Sequence, residues 1–463
     1  MAFAYPFFQV QFKKDGTVFL QTEVDSLRQA LTAANTPSDL FIMCHGWNNN
    51  IDDAKDLYEA LTGLIKAQID ANAVLKPRSY AVCVLLWPSK KFDDSNLIPS
   101  GAASLNDAVD STHLEARVDD LISLYAASEW PAVASPVPSE FATIKTQISQ
   151  IENISDSDRD DVVNLLRSLL PQEAATNDDA SGRFFSQPSD LLIQKLSKSL
   201  TPPQIPAGMG AASIPELDPF HTGEVAGLGG AQGFRDVLGG IKAGFLHLLN
   251  FATYYLMKAR AGDVGVKGEA PLIVGLRDLR PDLRLHLIGH SFGCRATVAA
   301  VNALPADEKY RPDTVLLLQG AFSHNGFADA SVEPEVERGA FRDVIANQKV
   351  RGPILITHTR NDKAVGLAYP IASRINGVTA AALGDADDIF GGLGSNGTQT
   401  QTSTPEGIAG TLLPVDQDYP FAAGVKAATP YNLKADTFIK GHSDIQKPEV
   451  AYVLTVGMAA PRT

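Results

Sequence analysis

The architecture follows from one segment, Arg284-Leu-His-Leu-Ile-Gly-His-Ser-Phe-Gly-Cys294. Its apolar residues 285–288 predict a short buried strand, and the small residues 294–303 predict a helix. A Gly-x-Ser-x-Gly turn between a strand and a helix is the context of a nucleophile elbow, where glycines permit a very tight turn. We therefore predict that Ser291 is a nucleophile and that the Phe292 N–H points to where negative charge develops.

The composition is that of a large globular protein. Of its 463 residues, 44% are hydrophobic, and the net charge of −14 argues against nucleic acid and anionic membranes as main partners. The first ten residues lack a signal-peptide pattern, and no run of about 18 apolar residues could span a membrane. We expect a cytoplasmic protein without stable membrane insertion, with free thiols at Cys44, Cys83 and Cys294. The sequence leaves the oligomeric state open.

Strands and helices alternate in the first part of the chain. Buried strands are predicted at residues 39–44 and 80–87, with an amphipathic helix at 52–72 between them. Residues 7–12 and 17–21 suggest an N-terminal hairpin. This alternation is typical of an α/β fold with a doubly wound, mostly parallel sheet.

The alternation breaks at residues 89–233, where we find no convincing buried strand. Helices are predicted there at residues 105–127, 140–152, 157–170 and 190–200. Residues 201–233 are rich in Pro and Gly and predict an irregular connection. We therefore predict an α/β core of residues 1–88 and 234–463, and a helical insertion that covers the site as a cap. The alternative is that its amphipathic helices pack only on one another.

The core pattern resumes after the insertion. Its predicted elements, in chain order, are helices at 241–261 and 270–279, strands at 314–319 and 353–359, a helix at 364–375, a loop at 384–430, a last strand at 435–439 and a closing helix at 448–459. They continue the strand and helix alternation that a parallel sheet requires.

An elbow serine needs a base to take its proton and an acid to orient that base, in the chain order serine, acid, histidine. Asp362 is the best acid, because it follows a predicted buried strand and open α/β sheets place their sites at the carboxyl ends of strands. A plain turn at Asn361-Asp362 is the alternative. The competing candidates for the acid are Asp385, Asp387 and Asp388, which lie in a predicted loop with no strand before it to position them.

The base should lie in a loop late in the chain. His442, in the sequence Lys-Gly-His-Ser-Asp, fits this position, and a plain surface histidine is the alternative. His324 and His358 are the runners-up, but both precede the candidate acid in the chain. We interpret His286 and His290 as structural residues of the strand and the elbow.

A second N–H donor for the oxyanion should come from His45-Gly46-Trp47, which follows a buried strand. Gly46 permits a close approach of the backbone, so we predict that the N–H groups of Trp47 and Phe292 form the oxyanion hole. Trp47 as a core aromatic residue is the alternative. We also assign His45, Gly46 and His290 to the substrate-binding site.

The sequence shows no metal-ligand set. His286 and His290 are four residues apart, but they span a strand and a turn rather than one helix face. There is no P-loop and no Gly-x-Gly-x-x-Gly after a strand. We therefore predict no metal and no cofactor.

The chain resembles the α/β-hydrolase superfamily of serine hydrolases at His45-Gly46-Trp47, Gly289-His290-Ser291-Phe292-Gly293, Asp362 and Gly441-His442. The resemblance covers roughly residues 1–88 and 234–463. It implies a doubly wound sheet of about eight strands and an acyl-enzyme mechanism. In that mechanism Ser291 is the nucleophile, His442 the base and acid, and Asp362 the orienting carboxylate. Many members carry a lid after the sixth strand, whereas the insertion here comes earlier, so their substrates are not transferred.

From these residues we expect a cofactor-independent serine hydrolase that cleaves a small-molecule carboxylic ester. An amidase, a peptidase or a thioesterase with the same triad is one alternative. A binding protein on a hydrolase scaffold, with an intact but idle triad, is the other. The sequence does not identify the acyl or alcohol group.

Overall fold

The computed structural model describes residues 3–33, 36–47, 51–89, 111–126, 137–175, 180–197, 235–329, 338–362, 365, 371–372, 375, 390–399 and 408–463. Several predictions lie outside these residues. They are the connection at 201–233, the competing acids Asp385, Asp387 and Asp388, and most of the helix at 364–375.

One parallel sheet forms the core of the fold. Its strands are β1 (Phe7–Gln11), β2 (Asp39–Cys44), β3 (Tyr80–Leu86), β4 (Arg284–His290), β5 (Thr314–Leu318), β6 (Pro353–His358), β7 (Ile408–Thr411) and β8 (Thr429–Lys434). They lie in the order β1-β3-β2-β4-β5-β6-β8-β7, and every neighbouring pair is parallel. The predicted α/β class with a doubly wound sheet of eight strands is confirmed, and the sheet is entirely rather than mostly parallel.

Within the described residues, α-helices connect the strands of the sheet and predominate in the chain between β3 and β4. They are α1 (Gln21–Thr32), α2 (Ile51–Ala71), α3 (Ser111–Ala126), α4 (Glu140–Ile148), α5 (Asp156–Ser168), α6 (Ser181–Ser186), α7 (Ser189–Leu196), α8 (Arg235–Asp263), α9 (Ala270–Leu279), α10 (Phe292–Ala303), α11 (Arg342–Ala346), α12 (Leu393–Asn396) and α13 (Pro448–Ala459). The predictions for α9 and α13 are correct at both ends. None of the described helices is long and apolar enough to cross a membrane.

The apolar pattern of the sequence explains the main elements. Every residue of β2 and β3 is buried, as expected of parallel strands covered on both faces. Helix α2 buries Leu57, Leu61 and Ile65, which share one stripe at a spacing of four residues. These three elements thus follow the pattern that the sequence predicts.

The N-terminal hairpin prediction is wrong. Residues 17–21 form no strand, and only an isolated antiparallel bridge joins Phe12 to Val18. Strand β1 pairs instead with β3, in parallel, from Phe7 opposite Val82 to Gln11 opposite Leu86. At the free edge of β1, Oε2 of Glu23 in α1 accepts from the Gln11 N–H at 2.8 Å, and the Phe19 N–H donates to the Gln11 carbonyl at 2.7 Å, so the chain enters α1 without forming a second strand.

The end of the sheet also differs from the prediction. Residues 435–439 form turns rather than a strand, and β7 and β8 both begin before residue 430, inside the predicted loop. Strand β8 contains Pro430 and Asn432, two residues that disfavour strands. The Asn432 amide compensates by donating to the Thr398 carbonyl at 3.0 Å and accepting from the Thr398 N–H at 2.9 Å.

Two compact units make up the chain. The first contains Met1–Ser89, Lys258–Val365 and Gly392–Thr463, and therefore the whole sheet. The second contains Lys90–Met257 and Gly366–Gly391. The predicted limits of the insertion, residues 89–233, and its role as a cap stay predictions.

The second unit has its own core and is helical where it is described. Phe184 lies 5.0 Å from Phe251, and Phe185 lies 5.3 Å from Tyr255, measured between ring centroids. The Lys195 ammonium of α7 donates to the carbonyl of Ile375 at 2.9 Å. This hydrogen bond joins Ile375 to a helix of the same unit.

The amino edge of the sheet carries charges of alternating sign. Along β3, β2, β4, β5 and β6 these are Arg78, Asp39, Arg284, Asp313 and Arg351, each in or directly before its strand. Asp39 is buried and lies 3.3 Å from the Arg78 guanidinium and 3.6 Å from that of Arg284. These ion pairs have a structural role at the amino edge, whereas open α/β sheets place their sites at the opposite, carboxyl edge.

The connections of the sheet locate a crevice at that carboxyl edge. From β2 the chain passes to β3 on one side, whereas from β4 it passes to β5 on the other. Neighbouring strands whose connections diverge leave a crevice between their carboxyl ends, where open α/β sheets bind ligands. The residues that follow these two strands are His45 and Ser291.

A buried carboxyl group lies behind the elbow helix. Residues Val264–Glu269 form a π-helical turn between α8 and α9, and the Glu269 side chain is completely buried. Thr297 of α10 donates to Glu269 Oε2 at 3.4 Å, whereas Oε1 has no hydrogen-bond partner among the described residues. Burial, opposed only by that hydrogen bond, raises the pKa of Glu269 to about 8, so the group is protonated at neutral pH.

This raised pKa predicts a stability that falls with pH. The folded chain retains a proton on Glu269 that the unfolded chain releases above its ordinary pKa of 4.5, so stability is lost as pH rises from there through about 8. Glu269→Gln should remove this loss and be the more stable protein at pH 8, by on the order of 4 kcal/mol. Unfolding midpoints at pH 5, 6.5 and 8 measure the difference. Glu308→Gln, at an exposed position, is the control, and parallel pH curves for wild type and Glu269→Gln would contradict the assignment.

Candidate active site

Ser291 occupies a strained turn between β4 and α10. Its backbone has φ of 56° and ψ of −123°, a combination that non-glycine residues rarely adopt. Its N–H donates to the Leu318 carbonyl at 3.0 Å, and its carbonyl accepts from the N–H groups of Cys294 at 3.0 Å and Ala321 at 3.1 Å. These hydrogen bonds hold the serine in the conformation expected of a nucleophile elbow.

The two glycines of the elbow are required by close packing. A Cβ on Gly293 would lie 1.9 Å from the Cys44 carbonyl oxygen at the end of β2. A Cβ on Gly289 would lie 2.6 Å from the Cα of Cys294. The start of α10 is therefore pressed against the sheet, as predicted from the Gly-x-Ser-x-Gly pattern.

The loop after β2 touches the candidate nucleophile. A Cβ on Gly46 would lie 2.4 Å from the Ser291 Cβ and 3.1 Å from its Oγ, so only glycine fits there. The ring of the next residue, Trp47, lies 6.2 Å from that of Phe292, edge to face. Phe292 is the first residue of α10, and amides of a first helical turn have no acceptor within the helix. The two predicted oxyanion donors thus belong to the residues that follow Gly46 and Ser291, and Gly46 and Ser291 lie against each other.

His45 is buried and bonds to protein groups. Its Nε2 accepts from the Trp87 N–H at 3.2 Å, and its Nδ1 lies 2.8 Å from the Gly46 carbonyl oxygen. Its ring stacks on Trp87 with centroids 5.5 Å apart. Burial lowers the pKa of His45 to about 4, so the ring is neutral and can accept at one nitrogen while donating at the other. These contacts shape the Gly46 loop, and direct substrate contact by His45 stays a prediction.

Asp362 and His442 meet, as the sequence predicts. His442 Nδ1 lies 2.8 Å from Asp362 Oδ2, and the Asp362 side chain is fully buried whereas that of His442 is 20% exposed. The other carboxylate oxygen accepts from the Val365 N–H at 3.0 Å. Each oxygen of the carboxylate therefore has a donor, and the imidazole is turned so that Nε2 faces away from the acid.

Neighbours of the acid hold the loop that carries His442. The Asn361 amide donates to the Ile439 carbonyl at 2.8 Å, and the Thr359 hydroxyl donates to the same oxygen at 3.3 Å. Sequence reasoning missed this role for both residues. The only available signal was that polar residues surround Asp362 at the end of a buried strand.

His290 is joined to the His442 loop. Its side chain is buried, its Nε2 lies 2.9 Å from the His442 carbonyl oxygen, and the two rings have centroids 5.0 Å apart. Its assignment to substrate binding stays a prediction.

Of the two hydrogen bonds that would link Ser291, His442 and Asp362, the described residues contain only the one between His442 and Asp362. Within the described residues, the Ser291 hydroxyl makes no hydrogen bond to His442. Catalytic hydrogen bonds are often long in an unliganded enzyme and shorten in the substrate complex. The connection between the two residues runs through the backbone and His290.

His286 and the runner-up His324 bond to groups other than Asp362. His286 Nε2 lies 3.0 Å from Asp39 at the opposite edge of the sheet, and His324 Nδ1 lies 3.2 Å from the Asn396 amide. Burial lowers the pKa of His358 to about 4. Burial also raises the pKa of the Cys294 thiol, so that it is a packing group rather than a second nucleophile.

The described residues contain no group of three or more His, Cys, Asp or Glu side chains that could hold a metal ion.

Comparison of the chain with models of protein families gives no match. Comparisons with curated proteins and with solved structures give no significant match either. The resemblance to the α/β-hydrolase superfamily therefore rests on the site residues alone.

The contact at Gly46 can be tested by stability. Gly46→Ala would force its Cβ into Ser291, whose backbone cannot move, and should lower the free energy of unfolding by about 1–3 kcal/mol. Gly441→Ala is the matched control beside His442, because nothing lies within 4 Å of its Cβ position, and it should change stability by less than about 0.5 kcal/mol. Denaturant unfolding of both variants measures this, and equal stability of the two would refute the close approach.

Proposed function

We propose that the chain is a serine hydrolase of the α/β-hydrolase type that cleaves a carboxylic ester through an acyl-enzyme intermediate. The observation that carries the proposal is the 2.8 Å hydrogen bond between His442 and the buried Asp362, beside an elbow serine. A strand, an elbow and a histidine–carboxylate pair in this chain order are the parts that the mechanism needs.

In the first half of the reaction the Ser291 oxygen attacks the ester carbonyl carbon. His442 Nε2 takes the hydroxyl proton, and the carbonyl electron pair moves to oxygen. The resulting oxyanion accepts hydrogen bonds from the N–H groups of Trp47 and Phe292. When the intermediate collapses, the carbon–oxygen bond to the alcohol breaks, and the alcohol leaves with the proton from His442.

In the second half a water molecule attacks the acyl group on Ser291. His442 again takes a proton, now from water, and returns it to the serine oxygen as the acid product leaves. Asp362 fixes the Nδ1–H tautomer of His442 through their hydrogen bond and stabilises the imidazolium that forms. Its burial strengthens that interaction because water does not screen it.

Two other functions compete with this one. An amidase, a peptidase or a thioesterase would use the same residues on a different leaving group. A non-catalytic binding protein is favoured by one observation, the missing hydrogen bond between Ser291 and His442. The two alternatives make different predictions about turnover.

Replacing the nucleophile tests the proposal. Ser291→Ala should lower kcat on p-nitrophenyl esters by at least about 10⁴-fold, because no other group can form the acyl-enzyme. The control is Ser26→Ala on α1, where the exposed hydroxyl bonds only to the Thr22 carbonyl, and it should keep wild-type activity. Hydrolysis that survives in Ser291→Ala would reject the mechanism.

A substrate panel separates the alternatives. Esters of increasing acyl length, matched thioesters and aminoacyl amides should be compared by kcat/KM, with the largest value for an ester. A larger value for an amide or a thioester assigns the corresponding alternative. Absence of Ser291-dependent turnover on every class would favour the binding protein.

A further inference from the structure

In the proposed mechanism His442 must keep its position through several proton transfers. Asp362 orients the ring through Nδ1 at 2.8 Å, but a hydrogen bond to a ring does not hold the main chain. The second contact is at the backbone, where the His442 carbonyl oxygen lies 2.9 Å from His290 Nε2. The histidine is thus held at two separate points.

The direction of this second hydrogen bond is unambiguous. A carbonyl oxygen only accepts, so Nε2 of His290 must carry the hydrogen. Burial, together with the neighbouring His442, lowers the pKa of His290 to about 3, so the ring is neutral and Nδ1 is bare. Nδ1 is buried and has no hydrogen-bond partner among the described residues. The one hydrogen on the nitrogens of this ring is therefore used on the His442 backbone.

The anchor for this hydrogen bond is rigid. His290 is the last residue of β4, pairs with Leu318 of β5 and directly precedes Ser291. Its side chain is 2% exposed. The hydrogen bond therefore ties the loop of the base to the strand that carries the nucleophile. Because the ring is uncharged, it does not oppose the positive charge that forms on His442, 5.0 Å away between centroids.

We propose that His290 is a positioning residue, whose Nε2–H donates to the His442 carbonyl and sets the distance from the base to Ser291. The proposal rests on the proposed function and gives His290 this role, which does not touch the reacting atoms, in place of the substrate contact predicted from the sequence. The functional consequence is on kcat rather than KM, because a displaced base slows proton transfer without changing ground-state contacts with substrate.

Three variants separate the donor from the shape of the ring. In His290→Gln the side-chain amide nitrogen can reach the place of Nε2, in His290→Asn it reaches only that of Nδ1, and in His290→Phe the ring stays but the donor is lost. We expect kcat on a p-nitrophenyl ester to fall about 10–100-fold in the Phe and Asn variants with KM unchanged. The Gln variant should retain most of kcat, and thermal unfolding checks that each protein is folded.

Two results would overturn the proposal. One is a folded Phe variant with wild-type kcat. The other is a folded Gln variant that loses as much kcat as Phe, because the ring shape rather than its donor would then matter.

Failure of the proposed function has a different signature, namely a wild-type protein without Ser291-dependent hydrolysis. In that case amide hydrogen exchange of residues 439–445 tests the tie directly. Faster exchange in His290→Phe than in His290→Gln supports it, and equal exchange in wild type, Phe and Gln overturns it.

Discussion

The contact between the start of α10 and the carboxyl end of β2 is the constraint on which the candidate site depends. Gly293 approaches the Cys44 carbonyl so closely that no side chain fits between them. That approach bends the chain sharply after β4 and leaves Ser291 at a positive φ. The strain, of order 1–3 kcal/mol, is offset by two backbone hydrogen bonds, from the Ser291 N–H to the Leu318 carbonyl and from the Ala321 N–H to the Ser291 carbonyl. The serine consequently stands where the sheet connections diverge.

Much of this arrangement could be predicted because it depends on short-range signals. Buried parallel strands appear in the sequence as runs of apolar residues, and for this reason β2, β3 and β4 could be predicted. The ends of such strands meet at one edge, so chain order alone suggests that Asp362 and His442 are partners. Their 2.8 Å hydrogen bond confirms that they meet, although not what they do.

The remainder depends on tertiary contacts that no local pattern records. Strand β7 is exposed along its four residues, so it has no apolar signal, and β8 contains a proline and a buried asparagine whose partner is distant in the chain. The contacts of His290 and Glu269 could not be predicted for the same reason. His290 bonds to a loop 152 residues away, and Glu269 is buried beside the elbow helix, where Thr297 donates to it.

The central claim is that Ser291 is a nucleophile activated by its surroundings. The most direct measurement is to treat the folded chain with a fluorophosphonate and map the adduct by peptide mass spectrometry. The account predicts one adduct, on Ser291, formed by the native protein and absent after denaturation. An adduct on another residue, or none on the native protein, would contradict it.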